Sequence, residues 1–163
     1  MAEQAYDKNR GPREMYQEHC QTVYRVAFTH MKNSYDAEDA VQETFARLIR
    51  SGERFRSREK EKAWLIVTVS NVCKDMLRRH YRSDRALEDY QYLAALPHEI
   101  DETMEAILRL PEKYKTAVYL FYYEGYTARE IARMLGEKPN TVSSRIGRAR
   151  LLLKTMLGGG FDD

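Results

Sequence analysis

The feature that most constrains this chain lies in its last third, where a short amphipathic segment and a longer basic one meet at a glycine. Thr127-Ala-Arg-Glu130 has the T-x-x-E spacing of a capping box. Ile131 and Leu135 follow at helical spacing, and Gly136 stands where a helix ends in the left-handed conformation. After a short turn a second helix begins near Pro139. It gathers Val142, Ile146, Ala149, Leu153 and Met156 on one arc and turns Asn140, Ser143, Ser144, Gly147 and Arg148 outward. A capped helix, a glycine turn and a basic helix make the helix-turn-helix arrangement, whose second helix enters the major groove of duplex DNA. The alternative is a surface helix pair with a solvated basic face. Cap, glycine, apolar spacing and charge agree on the first reading. Within it, Arg145, Arg148 and Arg150 suit phosphates or guanine edges, Ser143 and Ser144 are short readers, and Thr127 and Arg129 suit a phosphate at a helix start.

Charge is segregated along the chain although the net charge is only +2. Residues 47–85 hold 12 Lys or Arg against 5 Asp or Glu, residues 127–157 hold 7 against 2, and residues 86–105 hold six acids with no Lys or Arg. Two basic blocks joined by an acidic stretch predict two nucleic-acid-facing modules and a linker that cannot itself lie on phosphate.

Everything else reads as helix, so the fold class is all-α: two small helical domains joined by an acidic flexible linker. A first helix fits residues 13–31. A second starts at Asp36, whose side chain can cap it with Asp39 three residues on. It packs Ala37, Ala40, Val41, Thr44, Phe45 and Leu48 inward and turns Asp39, Gln42, Glu43 and Arg50 outward. That acidic face is open to two readings, solvated surface or a docking face. Residues 51–59 form a polar, basic break. In the long helix that follows, residues 60–82, Leu65, Val69, Val72, Cys73 and Met76 share one arc. Trp64, Val67, Asn71, Lys74, Asp75, Arg78 and Arg82 share the other. An aromatic among cations is what single-stranded DNA needs for stacking, and packing of Trp64 on Phe55 is the equal alternative. Pro111 opens a helix over residues 112–123, and Glu124-Gly-Tyr126 turns the chain. Residues 158–163 read as a frayed tail.

Other classes find little support. No apolar run approaches a membrane span, and the polar residues 1–13 do not look like a signal segment, so a cytoplasmic protein is expected. Cys20 and Cys73 lack CxxC spacing and read as reduced core thiols, with no disulfide. His19, His30, His80 and His98 lack ligand spacing, no glycine-rich phosphate loop is present, and no nucleophile-base arrangement can be placed. No metal, cofactor, small-molecule substrate or enzymatic activity is expected, and His19 beside Cys20 reads as a coincidence of the helix surface.

Taken together the motifs resemble one family, the extracytoplasmic-function type of bacterial RNA polymerase sigma factor in the sigma-70 family. The matching stretches are Asp36-Ala-Glu-Asp-Ala-Val-Gln-Glu-Thr-Phe45, Ala63-Trp-Leu through Asn71 to Asp75-Met-Leu-Arg-Arg79, and Leu110-Pro-Glu-Lys113. Gly125-Tyr-Thr-Ala-Arg-Glu-Ile-Ala132 and Thr141-Val-Ser-Ser-Arg-Ile-Gly-Arg-Ala-Arg150 complete them, in the family's order and over residues 15–157. The resemblance implies a non-catalytic, cytoplasmic subunit that binds core RNA polymerase and directs transcription initiation at promoter DNA. It implies residues 1–85 as a region 2-like domain, 86–105 as linker, 106–157 as a region 4-like helix-turn-helix domain and 158–163 as tail.

By the same resemblance Asp36, Asp39, Gln42 and Glu43 dock on the polymerase. Trp64, Asn71, Lys74, Asp75, Arg78 and Arg79 recognise the minus-10 element as melted strand, with residues 51–59 helping to hold a flipped base. Thr127, Arg129, Asn140, Thr141, Ser143, Ser144, Arg145, Arg148 and Arg150 read the minus-35 element as duplex. An inhibitory anti-sigma factor is an implied partner, and the free protein is expected to be a monomer with weak DNA affinity. The chain departs from the family at Ser143, where Lys or Arg is common, at Gly147, where a larger side chain is common, and at Glu137, which replaces an apolar turn residue. An ordinary helix-turn-helix repressor or activator is the competing reading. It leaves residues 36–79 unexplained, and a nucleic-acid-free adaptor leaves the charge blocks unexplained.

Overall fold

Some helices of this protein begin where a side chain accepts from an orphan backbone amide. A computed structural model describes residues 5–81 and 102–158. Its elements, in chain order, are α1 (Pro12–Met31), α2 (Ser34–Ser51), α3 (Arg58–Tyr81), α4 (Glu102–Leu108), α5 (Glu112–Tyr122), α6 (Ala128–Leu135) and α7 (Pro139–Met156). No strand occurs among the described residues. The acidic linker up to residue 101, Arg82 and the last five residues lie outside them.

Three caps govern the layout. The Asn33 side chain accepts from the Asp36 amide at 2.8 Å, so α2 starts at Ser34 and Asp36 sits inside its first turn, not at the cap expected from sequence. Asn33 wins because its Nδ2 also reaches Asp36 Oδ2, 2.9 Å away, which completes a reciprocal pair. Thr127 Oγ1 accepts from the Glu130 amide while Glu130 Oε1 accepts from the Thr127 amide, the capping box expected of α6. Gly136 closes that helix at φ +66°, a conformation that a side chain would strain.

α1, α2 and α3 form one bundle. Val23, Val26 and Ala27 of α1 meet Ala37, Ala40, Val41, Phe45 and Leu48 of α2 and Leu65, Val69 and Val72 of α3, all buried. α4, α5 and α7 form a second core around Ile107, Leu110, Val118, Ala149 and Leu153. Met156, expected on the buried arc of α7, is exposed. That cluster ends with Leu153 and a partly buried Leu157.

Two polar features were not foreseen. Glu61, fully buried in the first turn of α3, accepts from Arg10 Nε at 2.9 Å, from the Tyr6 hydroxyl and from His19 Nε2 at 3.1 Å. His19 is therefore a buried clamp and not a surface coincidence, and residues 6–10 strap the bundle. Burial alone would raise the Glu61 pKa, but the bonds from Arg10, Tyr6 and His19 outweigh it and hold it below its ordinary value. Cys73 is buried and reduced as expected, whereas Cys20 is only half-buried.

The second feature is a seam between the bundles. α1 packs on α4 and α5, and α3 packs on α6. His30 of α1 pairs with Glu112 Oε2 at 2.5 Å and with Thr116 Oγ1 at 2.7 Å, and Thr116 also meets Ser70 of α3 at 3.1 Å. At the rim Lys62 pairs with Glu124 at 2.9 Å and lies over the Tyr126 ring, whose hydroxyl reaches Glu59.

Candidate nucleic-acid interface

The second bundle presents the recognition helix cleanly. Val142, Ile146, Ala149 and Leu153 anchor α7. Asn140, Thr141, Ser143, Ser144 and Arg148 are exposed together on the opposite side, with Thr127 and Arg129 exposed at the start of α6. Gly147 sits among them with open space where a side chain would be. Two expected members of the set are engaged elsewhere. Arg145 is tied to Glu137 at 2.8 and 3.1 Å, which explains how an acid stands in the turn: it accepts both arms of a guanidinium. Arg150 Nε reaches the Tyr122 hydroxyl at 3.3 Å, on the side of α7 that faces α5. Arg148 is therefore the cation of α7 best placed toward a groove.

The first bundle presents a mixed arc. Asn71, Lys74, Arg78 and Arg79 are exposed and Asp75 is half-buried. Trp64 is half-buried and edge-on to Phe55, ring centres 5.9 Å apart, so the packed alternative is realised. Phe55 belongs to the loop of residues 52–57, so Trp64 packs against that loop. Asp75 accepts from Arg78 and lies 3.8 Å from Arg47, which also donates to Glu43 at 3.2 Å. An ion-pair chain thus runs from the outer face of α2 to the outer arc of α3.

On α2, Asp39 and Gln42 are exposed, and Glu43 accepts from Arg47 and Arg50. Those hydrogen bonds, from Arg50 and then Arg47, hold the Glu43 carboxyl below its ordinary pKa. Gln42 and Glu38 edge a shallow groove with Tyr16, Cys20 and Tyr24. Asp36 turns back onto Asn33 and is half-buried, apart from the other three. No described helix is long and apolar enough to cross a membrane. Glu18, His19 and Glu61 lie close enough together to hold a cation, but Arg10 already binds both carboxylates there.

Comparison with known proteins bears on these faces. Residues 15–83 match sigma-70 region 2 and residues 100–153 match sigma-70 region 4. The RNA polymerase sigma factor SigV of Bacillus subtilis is 33% identical over 144 residues, 86% of this chain and 87% of the relative. The ECF RNA polymerase sigma factor SigM of Mycobacterium tuberculosis is 33% identical over 149 residues, 89% and 76% of the two chains. Among solved structures, the sigma factor RpoE of Bartonella quintana, in complex with the anti-sigma factor NepR, superposes with a TM-score of 0.67. It is 20% identical, over 91% of this chain and 99% of that one. CnrH, in complex with the cytosolic domain of CnrY, gives 0.55 at 24% identity, over 92% and 89%.

Proposed function

Given that this chain belongs to the sigma-70 family, in its extracytoplasmic-function group, we propose that it docks on core RNA polymerase through α2 and grips a promoter at two elements in different states. The α7 face, with Arg148 central and Thr127 and Arg129 on flanking phosphate, takes the minus-35 element as duplex. The α3 arc of Asn71, Lys74, Arg78 and Arg79, with Trp64 at its edge, takes the minus-10 element as melted strand. Asp39, Gln42 and Glu43 form the polymerase face.

One observation carries this reading: region 2 and region 4 occur in order in one chain, and each presents an exposed arc of a different chemistry. Opening base pairs costs several kcal/mol, so a module that captures unstacked bases is needed beside one that docks on duplex. Amides, cations and an aromatic edge suit the first task. Short polar side chains and an arginine on a rigid helix suit the second. An anti-sigma factor is the expected inhibitory partner, in line with the complexes in which RpoE and CnrH were solved.

The test is transcription by purified chain plus core polymerase across a genomic promoter library, with footprinting of the promoters that respond. Asn71→Ala should reduce permanganate-reactive melting while leaving duplex protection upstream, and Arg148→Ala should do the reverse. Equal effects on both readouts overturn the division of labour. Tight promoter binding without polymerase overturns the sigma reading in favour of an ordinary repressor or activator.

A further inference from the structure

The buried Glu61 cluster lies within one turn of the loop that joins α2 to α3. That loop, residues 52–57, leaves α2 at Gly52, whose φ is +63°. It enters α3 through Ser57, whose Oγ accepts from the Lys60 amide and whose carbonyl accepts from the Glu61 amide, both at 3.1 Å. Between these ends Arg54 and Arg56 are exposed on either side of Phe55, which packs on the half-buried Trp64. Among the described residues, no hydrogen bond holds residues 54–56 to the body. Cations flanking an aromatic are the chemistry that takes an unstacked base and its phosphates. A loop so lightly tied keeps a receptive shape only if its ends are fixed from behind.

Glu61 supplies that fixing. Arg10 grips both of its oxygens as a fork, Nε at 2.9 Å and Nη2 at 3.1 Å, while the Tyr6 hydroxyl and His19 Nε2 complete the set. Arg10 also reaches Glu18 at 3.2 Å, and Glu18 pairs at 3.0 Å with Arg58, the first residue of α3. Burial, and then the Glu61 carboxylate, push the Tyr6 pKa up to about 12, so the hydroxyl remains a donor. A buried ion pair of this kind roughly breaks even in stability against apolar side chains filling the same volume. What the fork adds is direction, because it accepts the carboxylate in one plane and so gives the start of α3 one orientation against α1.

We propose that Tyr6, Arg10 and His19 are positioning residues of promoter opening: through Glu61 they set the orientation of the 52–57 loop and Trp64, which together receive a base of the separated strand. This rests on the reading of the first bundle as the single-strand module. It adds to that module a stretch, residues 6–10, that lies ahead of the region 2 match at residues 15–83.

The experiment uses the full chain with core polymerase, and as probe a labelled single-stranded oligonucleotide spanning the opened stretch of a promoter that responds in the library test. Arg10→Met with Glu61→Met replaces the fork by apolar side chains, so the urea midpoint should hold. Trp64 is the only tryptophan of the sequence, and in the free double variant its quenching by acrylamide should rise about 1.5-fold as the loop loosens. The variant holoenzyme should lose at least about fivefold on the single strand while binding the minus-35 duplex and core polymerase within about twofold of the parent. Tyr6→Phe, which deletes one donor, should lose about twofold on the strand alone. Strand binding by the double variant equal to the parent's, equal losses on strand and duplex, or unchanged Trp64 quenching overturns the positioning role. Should the double variant lose its helical circular dichroism, Tyr6→Phe decides by its strand-to-duplex ratio, and an unchanged ratio overturns the proposal. A parent chain that opens no promoter overturns the sigma reading and this proposal with it, whereas failure of the positioning alone leaves the parent active.

Discussion

The interior of the α1–α3 bundle is apolar, whereas the seam between the bundles adds polar contacts to an apolar one: Met104, Leu108, Ala117, Tyr119, Leu120 and Ile131 belong to the same buried cluster as Val26 and Phe45. Inside the bundle Val26, Ala40, Phe45, Leu65 and Val69 meet with no polar partner between them. At the seam His30, Ser70, Glu112, Lys115 and Thr116 meet through hydrogen bonds and an ion pair. Exposing apolar surface costs about 25 cal/mol per Å² without compensation. Parting a hydrogen bond in favour of water costs a net 0.5–1.5 kcal/mol, roughly. The polar contacts of the seam are therefore individually cheap to exchange for water, while its apolar part carries the same cost as the core.

The largest expected effect comes from the core. Leu65→Ala should cost about 2–5 kcal/mol, read as an earlier urea midpoint; a loss no greater than that of a seam variant would erase the contrast. Next comes Lys115→Met, which removes a buried charge and should favour closure at neutral pH. The Lys115 pKa is lowered to about 8 in the closed chain against its ordinary 10.5. The unfolded chain therefore binds more protons in between, and stability should rise with pH from about 8. The groups acting on its ammonium are Glu112 on the same helix, Lys32 just after α1 and Cys73 of α3. Cys73, buried and raised to about 12, works in the opposite direction above pH 9. The useful window is accordingly pH 8–9, and the urea midpoint should rise across it in the parent but not in Lys115→Met.

Thr116→Val keeps the shape but strips the bridge between His30 and Ser70, at about 1 kcal/mol. Energy transfer between dyes on the two bundles should fall modestly, with the core's urea midpoint unchanged. Lys62→Ala, at the rim, should shift closure by only a few tenths of a kcal/mol, less at high salt, because partly exposed pairs are screened. A rim effect exceeding that of Thr116→Val would mean that the seam is held from its edge.

Much of the candidate site was legible in advance because helical periodicity is local. The buried stripe of α2, the Thr127 capping box, Gly136 and the outward set on α7 all follow from residues three or four apart, and the structure has each of them. What spacing did not show for Arg145 is its partner: Glu137 lies eight residues earlier in sequence but against it in space. Asn33 took the cap from Asp36 because it could pair both ways.

The α-helical character, the caps, the core stripes and the family follow from the sequence, since each is written in short-range spacing or in motif order. Tertiary structure alone decided that His19 and Arg10 clamp Glu61 and that His30 and Ser70 hold Thr116. Their partners lie 42 to 86 residues apart, too distant for any repeat to link them. A helix has several faces, and periodicity names the apolar one. Which polar face is also buried depends on what the rest of the chain brings against it.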